Sequence, residues 1–264
     1  MFDRRRPDPA QGVFETLLVL DGRPVELDAH LNRLEASLET LFPDHSLPPL
    51  DVPVEKGPYG HLSTGTVDGH GLGALRISVA PGDDGGLEAQ IERRKAPLAG
   101  FMSPAGRRLP TAEVSLRRLT LAGGLGAHKW ADRSLLDEAQ ATLPEGALPI
   151  LVDEDGTVLE AARANVFAVR DGRLLTPPTD GRILPGVTRM RVLEIAAGLG
   201  VETAETALAS GDLLAADEVF LTGSVRGIEP ALSLDGAPLR HEGEISGRLA
   251  AELRRAWAGA TTAS

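Results

Sequence analysis

Residues 157–189 read TVLEAARANVFAVRDGRLLTPPTDGRILPGVTR, and their order of patterns sets the fold class. TVLEA, NVFAV and RLLT are short runs rich in β-branched and apolar residues, as strands are. Asp171-Gly172 parts the last two with the dipeptide that tight hairpins favour. Just upstream, PILVD and Asp155-Gly156 repeat the same signal, so the whole stretch predicts an antiparallel meander. Pro185-Gly186 then ends the extended pattern, and VTRMRVLEIAAGLG follows with helical spacing and a glycine stop. Strands followed by a helix of this kind indicate an α/β chain of the α+β type.

The same grammar extends in both directions. VFETLLVL (13–20) predicts a strand, Asp21-Gly22 a turn, and RPVEL its return. In DAHLNRLEASLETLF the leucines 31, 34, 38 and 41 recur at helical spacing, with Asp28 as N-cap and Pro43 as the stop. Pro43 to Gly73 is rich in Pro and Gly and predicts no element. ALRISVA (74–80), a GDDGG turn and LEAQIERR predict a hairpin. The pattern breaks from Pro97 to Pro110, which puts a domain boundary near residue 118 and divides the chain into 1–118 and 119–264. The second part opens with the glycine-rich LAGGLGAHKWADRSLL and a helix near 133–142. It closes with the strand EVFLTG, a terminal helix in HEGEISGRLAAELRRAWAG and a frayed tail, GATTAS.

Composition narrows the function classes. At 264 residues, 42% apolar and 25% charged, the chain has the make-up of a globular protein with one large or two ordinary cores. With aromatics at only 3%, those cores must be built from Leu, Val, Ala and Ile. A net charge of -11 argues against nucleic acid or anionic membrane as the main partner. With no cysteine there is no thiolate nucleophile, disulfide or thiolate metal site. The six histidines show no HExxH or clustered spacing, so no metal is expected. The N-terminal MFDRRRPDPAQG carries positive charge without a following apolar run, and no apolar stretch is long enough to span a bilayer. The expectation is a cytoplasmic protein.

Against that background Lys129 stands out. It is one of three lysines, with Lys56 and Lys95, in a chain that otherwise uses arginine for positive charge. An imine-forming lysine spends part of its cycle as a neutral amine, and burial or flanking cations favour that form. Alone, Lys129 is better read as a partly exposed residue at a helix start. Glu160 alone is a solvated strand-end carboxylate, and Arg33 a surface arginine on the polar side of its helix. Together with Asn165 they take on a chemical sense. Gly186-Val187-Thr188 open a helix where free N–H groups favour phosphate, although capping also explains such starts. Gly223-Ser224 after EVFLT offers a second donor pair. An amine for a Schiff base, a carboxylate for a pyridine nitrogen and a phosphate cradle are what a pyridoxal phosphate enzyme requires. The glycines of GGLGAHK lack the ending of a P-loop and the context of a dinucleotide fingerprint.

These residues, with GVFETLLVLDGRPVELDAHLNRL at the front and LTGSVRGIEP near the end, make the chain resemble the class IV aminotransferases, the fold type IV pyridoxal phosphate enzymes. That family holds branched-chain aminotransferases, D-amino acid aminotransferases and 4-amino-4-deoxychorismate lyases. The resemblance implies a small N-terminal α/β domain, a larger C-terminal domain, pyridoxal 5'-phosphate in the cleft between them, a small-molecule substrate and a homodimer. It also implies roles: Lys129 as Schiff-base lysine and general base, Glu160 as partner of the pyridine nitrogen, and Arg33 as the phosphate arginine. Val187 and Thr188 become the helix-start phosphate donors and Ser224 the hydroxyl of a second phosphate loop. Asn165 joins the cofactor set. Thr16 assists chemistry, and Arg226, or Arg76 in its place, meets a substrate carboxylate. Two departures bear on substrate. KWADRSLL lacks the tyrosine usual after the lysine of branched-chain aminotransferases and is closer to the lyases' spacing, with Asp132 in the place of an asparagine. DPAQG replaces the usual YGDG before VFET. The resemblance therefore implies a lyase that releases pyruvate and 4-aminobenzoate, a folate precursor. The alternatives are an aminotransferase of D- or branched-chain amino acids and a cofactor-free binding module.

Overall fold

The computed structural model describes residues 6–50, 52, 72–94, 96 and 114–259. The expectations for residues 53–71, 97–110 and 260–264 lie outside these. The described chain divides into two compact units. One takes residues 7–96, His128–Arg133 and 255–259; the other takes residue 6, residues 114–127 and Ser134–Arg254.

The smaller unit is an antiparallel sheet with a helix on one face. Its elements are β1 (Val13–Leu20), β2 (Arg23–Pro24), α1 (Leu27–Leu41), β3 (Leu72–Pro81) and β4 (Leu87–Arg94), with strand order β2-β1-β3-β4. Asp21 (φ 47°) and Gly22 (φ 81°) both take left-handed backbone, as the expected hairpin turn demands. The odd residues of β1, Val13, Leu17 and Val19, pack with Leu34 and Leu38 of α1 and with Leu75, Ile77 and Val79 of β3. Burying each such side chain contributes about 1.5–3 kcal/mol. The helix start differs from expectation. Glu26, left-handed at φ 54°, is the N-cap and makes no side-chain cap bond, while Asp28 lies within the first turn. The chain has to reverse from β2 onto the sheet within two residues. The backbone at Glu26 makes that reversal and begins the helix before Asp28 is reached.

The larger unit holds β5 (Val114–Thr120), α2 (Ser134–Ala141), β6 (Ala147–Val152), β7 (Thr157–Ala161), β8 (Asn165–Arg170), β9 (Arg173–Thr176) and α3 (Val187–Gly198). There follow β10 (Thr203–Glu205), β11 (Leu208–Ala209), α4 (Ser210–Ala215), β12 (Glu218–Gly223), β13 (Gly227–Leu234), β14 (Ala237–Pro238) and α5 (Glu244–Gly259), of which residues 255–259 belong to the smaller unit. The sheet runs β10-β9-β8-β12-β13-β5-β6-β7-β11, with β14 beside β13. Residue 118 lies within β5. The meander resolves into two hairpins, β6–β7 and β8–β9, because β8 takes β12 rather than β7 as its other partner. Pro230 sits inside β13, between two neighbours, where a missing N–H ordinarily forbids a proline. It is accommodated because the parallel ladder to β5 begins only at Ala231. The core gathers Leu116, Ile150, Leu151, Val158, Val166, Leu221 and Ala231, all buried. Among the described residues no helix is long and apolar enough to cross a membrane.

Candidate active site

In the smaller unit the pleat of β1 sorts its residues. Glu15 shares the buried face with Val13 and Leu17, where an unpaired carboxylate would be costly. His30 and Arg33, three apart on α1 and so on one helix face, reach it together. His30 Nδ1 lies 2.7 Å from Glu15 Oε2, and Arg33 donates Nε to Oε1 at 2.8 Å and Nη2 to Oε2 at 2.6 Å. Burial pushes the Glu15 carboxyl upward. The charge of Arg33 and the hydrogen bonds from His30 and Arg33 outweigh that push and lower it to about 2. Arg33 is thus held in one orientation by a two-point pair. Sequence reading passed over Glu15; the signal for it was a carboxylate at a core position of an apolar alternation, opposite a histidine and an arginine three residues apart.

The segment that carries Lys129 lies along β1 as an added edge. Phe14 N–H donates to Lys129 O at 2.9 Å, Val13 bridges Trp130, and Ala131 N–H donates to Gly12 O at 3.0 Å. Gly12 is required here: its φ is +76°, and a Cβ on it would stand 2.0 Å from Val79 O. Side chains alternate along an extended segment. His128 bonds Ser37 of α1 through Nδ1 at 3.1 Å, its ring meets Trp130 edge-on, and Trp130 packs on the core beneath α1. Burial lowers the pKa of His128. Lys129 turns the other way, its Nζ 4.9 Å from the centre of the Phe14 ring. The Arg76 guanidinium lies 3.7 Å from the same ring, and Arg76 is the cross-strand partner of Thr16. Burial lowers the pKa of Arg76, and the charges of Arg94 and Arg133 add to that effect. The face of this sheet away from α1 therefore brings together Phe14, Thr16, Arg76 and Lys129. Asp132 accepts the Asp8 N–H at 2.9 Å and so ties the segment to the turn that leads into β1.

In the larger unit the turn between β7 and β8 is closed by a mutual backbone pair between Ala161 and Ala164. It sets Glu160 and Asn165 side by side. Glu160, buried, accepts the Leu184 N–H at 3.2 Å and Asn165 Nδ2 at 3.2 Å. Asn165 Nδ2 also donates to Leu184 O at 2.9 Å, so this amide orients Glu160 and the chain entering α3. Gly186 is the second glycine that the site demands, since a Cβ there would stand 1.9 Å from Asn165 Oδ1. As the N-cap of α3 it gives no side-chain bond, and no acidic residue lies in the first turn. The start of α3 at Val187 and Thr188 therefore presents uncapped N–H groups and the positive end of the helix dipole. Thr188 Oγ1 lies 3.3 Å from Ser224 Oγ. Thr222 Oγ1, buried on the strand pair that faces Asn165, has no hydrogen-bond partner among the described residues. Two adjoining hydroxyls and an uncapped helix start are a donor set suited to a phosphate dianion. The larger unit thus brings together Glu160, Asn165, Val187, Thr188 and Ser224, while Thr16, Arg33 and Lys129 lie in the smaller one. Arg226 donates Nη1 to Glu229 at 3.3 Å.

Comparison with known proteins agrees with this chemistry. The family model Amino-transferase class IV matches residues 12–234, and the chain belongs to that family. A putative branched-chain-amino-acid aminotransferase of Methanocaldococcus jannaschii is 32% identical over 251 residues, covering 90% of this chain and 84% of that protein. The bifunctional aminodeoxychorismate lyase / D-amino acid transaminase of Mycobacterium tuberculosis is 33% identical over 245 residues, 86% of this chain and 83% of its own. Among solved structures, a hypothetical aminotransferase from Mycobacterium tuberculosis in its PLP-bound form superposes with a TM-score of 0.75 at 28% identity, over 95% of this chain and 90% of that one. The chain has the fold of the type IV pyridoxal phosphate enzymes and is a pyridoxal phosphate-dependent enzyme of the aminotransferase and lyase family.

Proposed function

We propose that this enzyme is a 4-amino-4-deoxychorismate lyase. The observation that carries the reading is the segment after Lys129. Trp130 to Asp132 are given over to backbone pairing with β1 and to the bond with Asp8, and no tyrosine stands in KWADRSLL. The sequence has a single tyrosine, at position 59. The lyase and transaminase relative of Mycobacterium tuberculosis supports the same reading.

Pyridoxal phosphate, when bound, supplies an electron sink for charge that develops next to the substrate amine. Val187, Thr188 and Ser224 would bind its phosphate, and the family resemblance gives Arg33 the part of countercharge. Glu160, oriented by Asn165, would hold the pyridine nitrogen protonated. Lys129 would hold the cofactor through Nζ and, as a free amine, would take the ring proton beside the substrate amine. It then returns a proton to the methylene carbon of the departing enolpyruvate, so that pyruvate and 4-aminobenzoate account for every atom of the substrate. General-base assistance of this kind contributes about 10²- to 10⁴-fold in rate. Thr16 relays or orients on the same sheet face, and Arg226 or Arg76 meets a substrate carboxylate. The same reading makes the product a folate precursor and the protein a cytoplasmic homodimer, the latter open to light scattering.

The test is pyruvate release from 4-amino-4-deoxychorismate by purified holoenzyme with no keto acid added. Release establishes the lyase. Cofactor absorption without pyruvate refutes it and favours an aminotransferase of D- or branched-chain amino acids, the reading that the Methanocaldococcus jannaschii relative supports.

A further inference from the structure

Two arginines of the larger unit converge on one buried carboxylate. Glu229 of β13 is 2% exposed. Its Oε2 accepts Arg163 Nη1 at 2.8 Å, and its Oε1 accepts Arg226 Nη1 at 3.3 Å and stands 3.5 Å from Arg163 Nη2. Among the described residues neither guanidinium meets another carboxylate. The arginines come from two turns already assigned to the cofactor set. Arg163 lies between Glu160 and Asn165, and Arg226 lies two residues beyond Ser224. The turns approach closely, since a Cβ on Gly223 would stand 3.6 Å from Arg163 O.

The charges do not balance. One guanidinium suffices to pair a buried carboxylate, yet Glu229 holds two, leaving one positive charge in excess. Each guanidinium has five N–H donors in a planar fork. Glu229 engages at most two on Arg163 and one on Arg226, and both side chains remain partly exposed, at 34% and 28%. Burial lowers the pKa of Arg226 and the neighbouring charge of Arg163 lowers it further, against the opposing pull of Glu229. A bound anion relieves that repulsion.

The geometry points to a carboxylate-binding site made by Arg163 and Arg226 together, with Glu229 as the residue that positions both. Its ligand is a carboxylate of the substrate or product. The identity of that ligand rests on the proposed lyase activity; the charge excess does not.

The experiment titrates holoenzyme with 4-aminobenzoate and with its neutral counterpart 4-aminobenzamide, reading the visible absorption of the cofactor. Wild type should prefer the carboxylate. Arg163→Gln and Arg226→Gln should each lose about 10- to 100-fold in affinity for 4-aminobenzoate while 4-aminobenzamide and cofactor affinity stay within about twofold. KM for 4-amino-4-deoxychorismate should rise by a similar factor with kcat changed less than about threefold. Arg163→Lys, which keeps the charge without the fork, should recover part of the loss. No carboxylate preference in wild type, equal losses for both probes, or loss of cofactor in Arg163→Gln would overturn the site. Preference without pyruvate release removes the lyase reading and leaves the site standing. Pyruvate release with preference intact in both glutamine variants does the reverse.

Discussion

Replacing Glu15 with glutamine removes a buried charge while keeping the shape of the side chain. The lowering of this carboxyl from 4.5 to about 2 corresponds to about 3 kcal/mol of stability near neutral pH. A second route gives a similar figure, since breaking a buried ion pair by removing one partner costs about 3–5 kcal/mol. Because the folded-state pKa is depressed, this stability is fully present above the unfolded value of about 4.5 and is lost as pH falls through 2. Both tryptophans of the chain, Trp130 and Trp257, belong to the smaller unit, so their fluorescence reads its unfolding in urea. Glu15→Gln should lower stability near pH 7 by about 3 kcal/mol and flatten the decline between pH 5 and pH 2 by the same amount. A variant within about 0.5 kcal/mol of wild type near pH 7, or one whose acid profile runs parallel to it, would refute the paired-carboxylate account.

Other perturbations separate the remaining parts of the site. Lys129→Ala should abolish the visible absorption of lysine-bound cofactor and activity while far-ultraviolet circular dichroism stays as in wild type; retained turnover would remove the lysine from its role. Gly186→Ala must displace the Asn165 amide, because the new Cβ would stand 1.9 Å from its oxygen. Cofactor affinity should drop, with a stability cost of about 1–3 kcal/mol in thermal unfolding, and an unaltered variant would show that the turn yields easily. Thr188→Val should weaken pyridoxal phosphate by about tenfold in equilibrium titration and leave pyridoxal, which has no phosphate, unaffected. An equal loss for both would place the threonine away from the phosphate.

Most of the fold was legible because its signals are local. The Asp-Gly turns at 21–22, 155–156 and 171–172, the leucine spacing of α1 and the glycine stop of α3 each act within a few residues, and each element appears where its pattern lies. The short strands β10, β11 and β14 carry too few residues for any periodicity, and β13 was hidden by Pro230, whose tolerance depends on where a distant ladder begins.

Residue type and spacing made Lys129, Glu160, Thr188 and Ser224 candidates, since an imine-forming amine, a carboxylate and phosphate donors are what a pyridoxal phosphate enzyme requires. Their supports were not legible. That Glu15 holds Arg33, that Asn165 spends its amide on Glu160 and Leu184, and that Glu229 gathers Arg163 and Arg226 are pairings set by strand register and helix face. Side-chain chemistry is a property of the residue and survives in the linear text. Which polar groups compensate one another after burial depends on which strands become neighbours, and chain folding alone brings positions as far apart as 163 and 229 within hydrogen-bonding range.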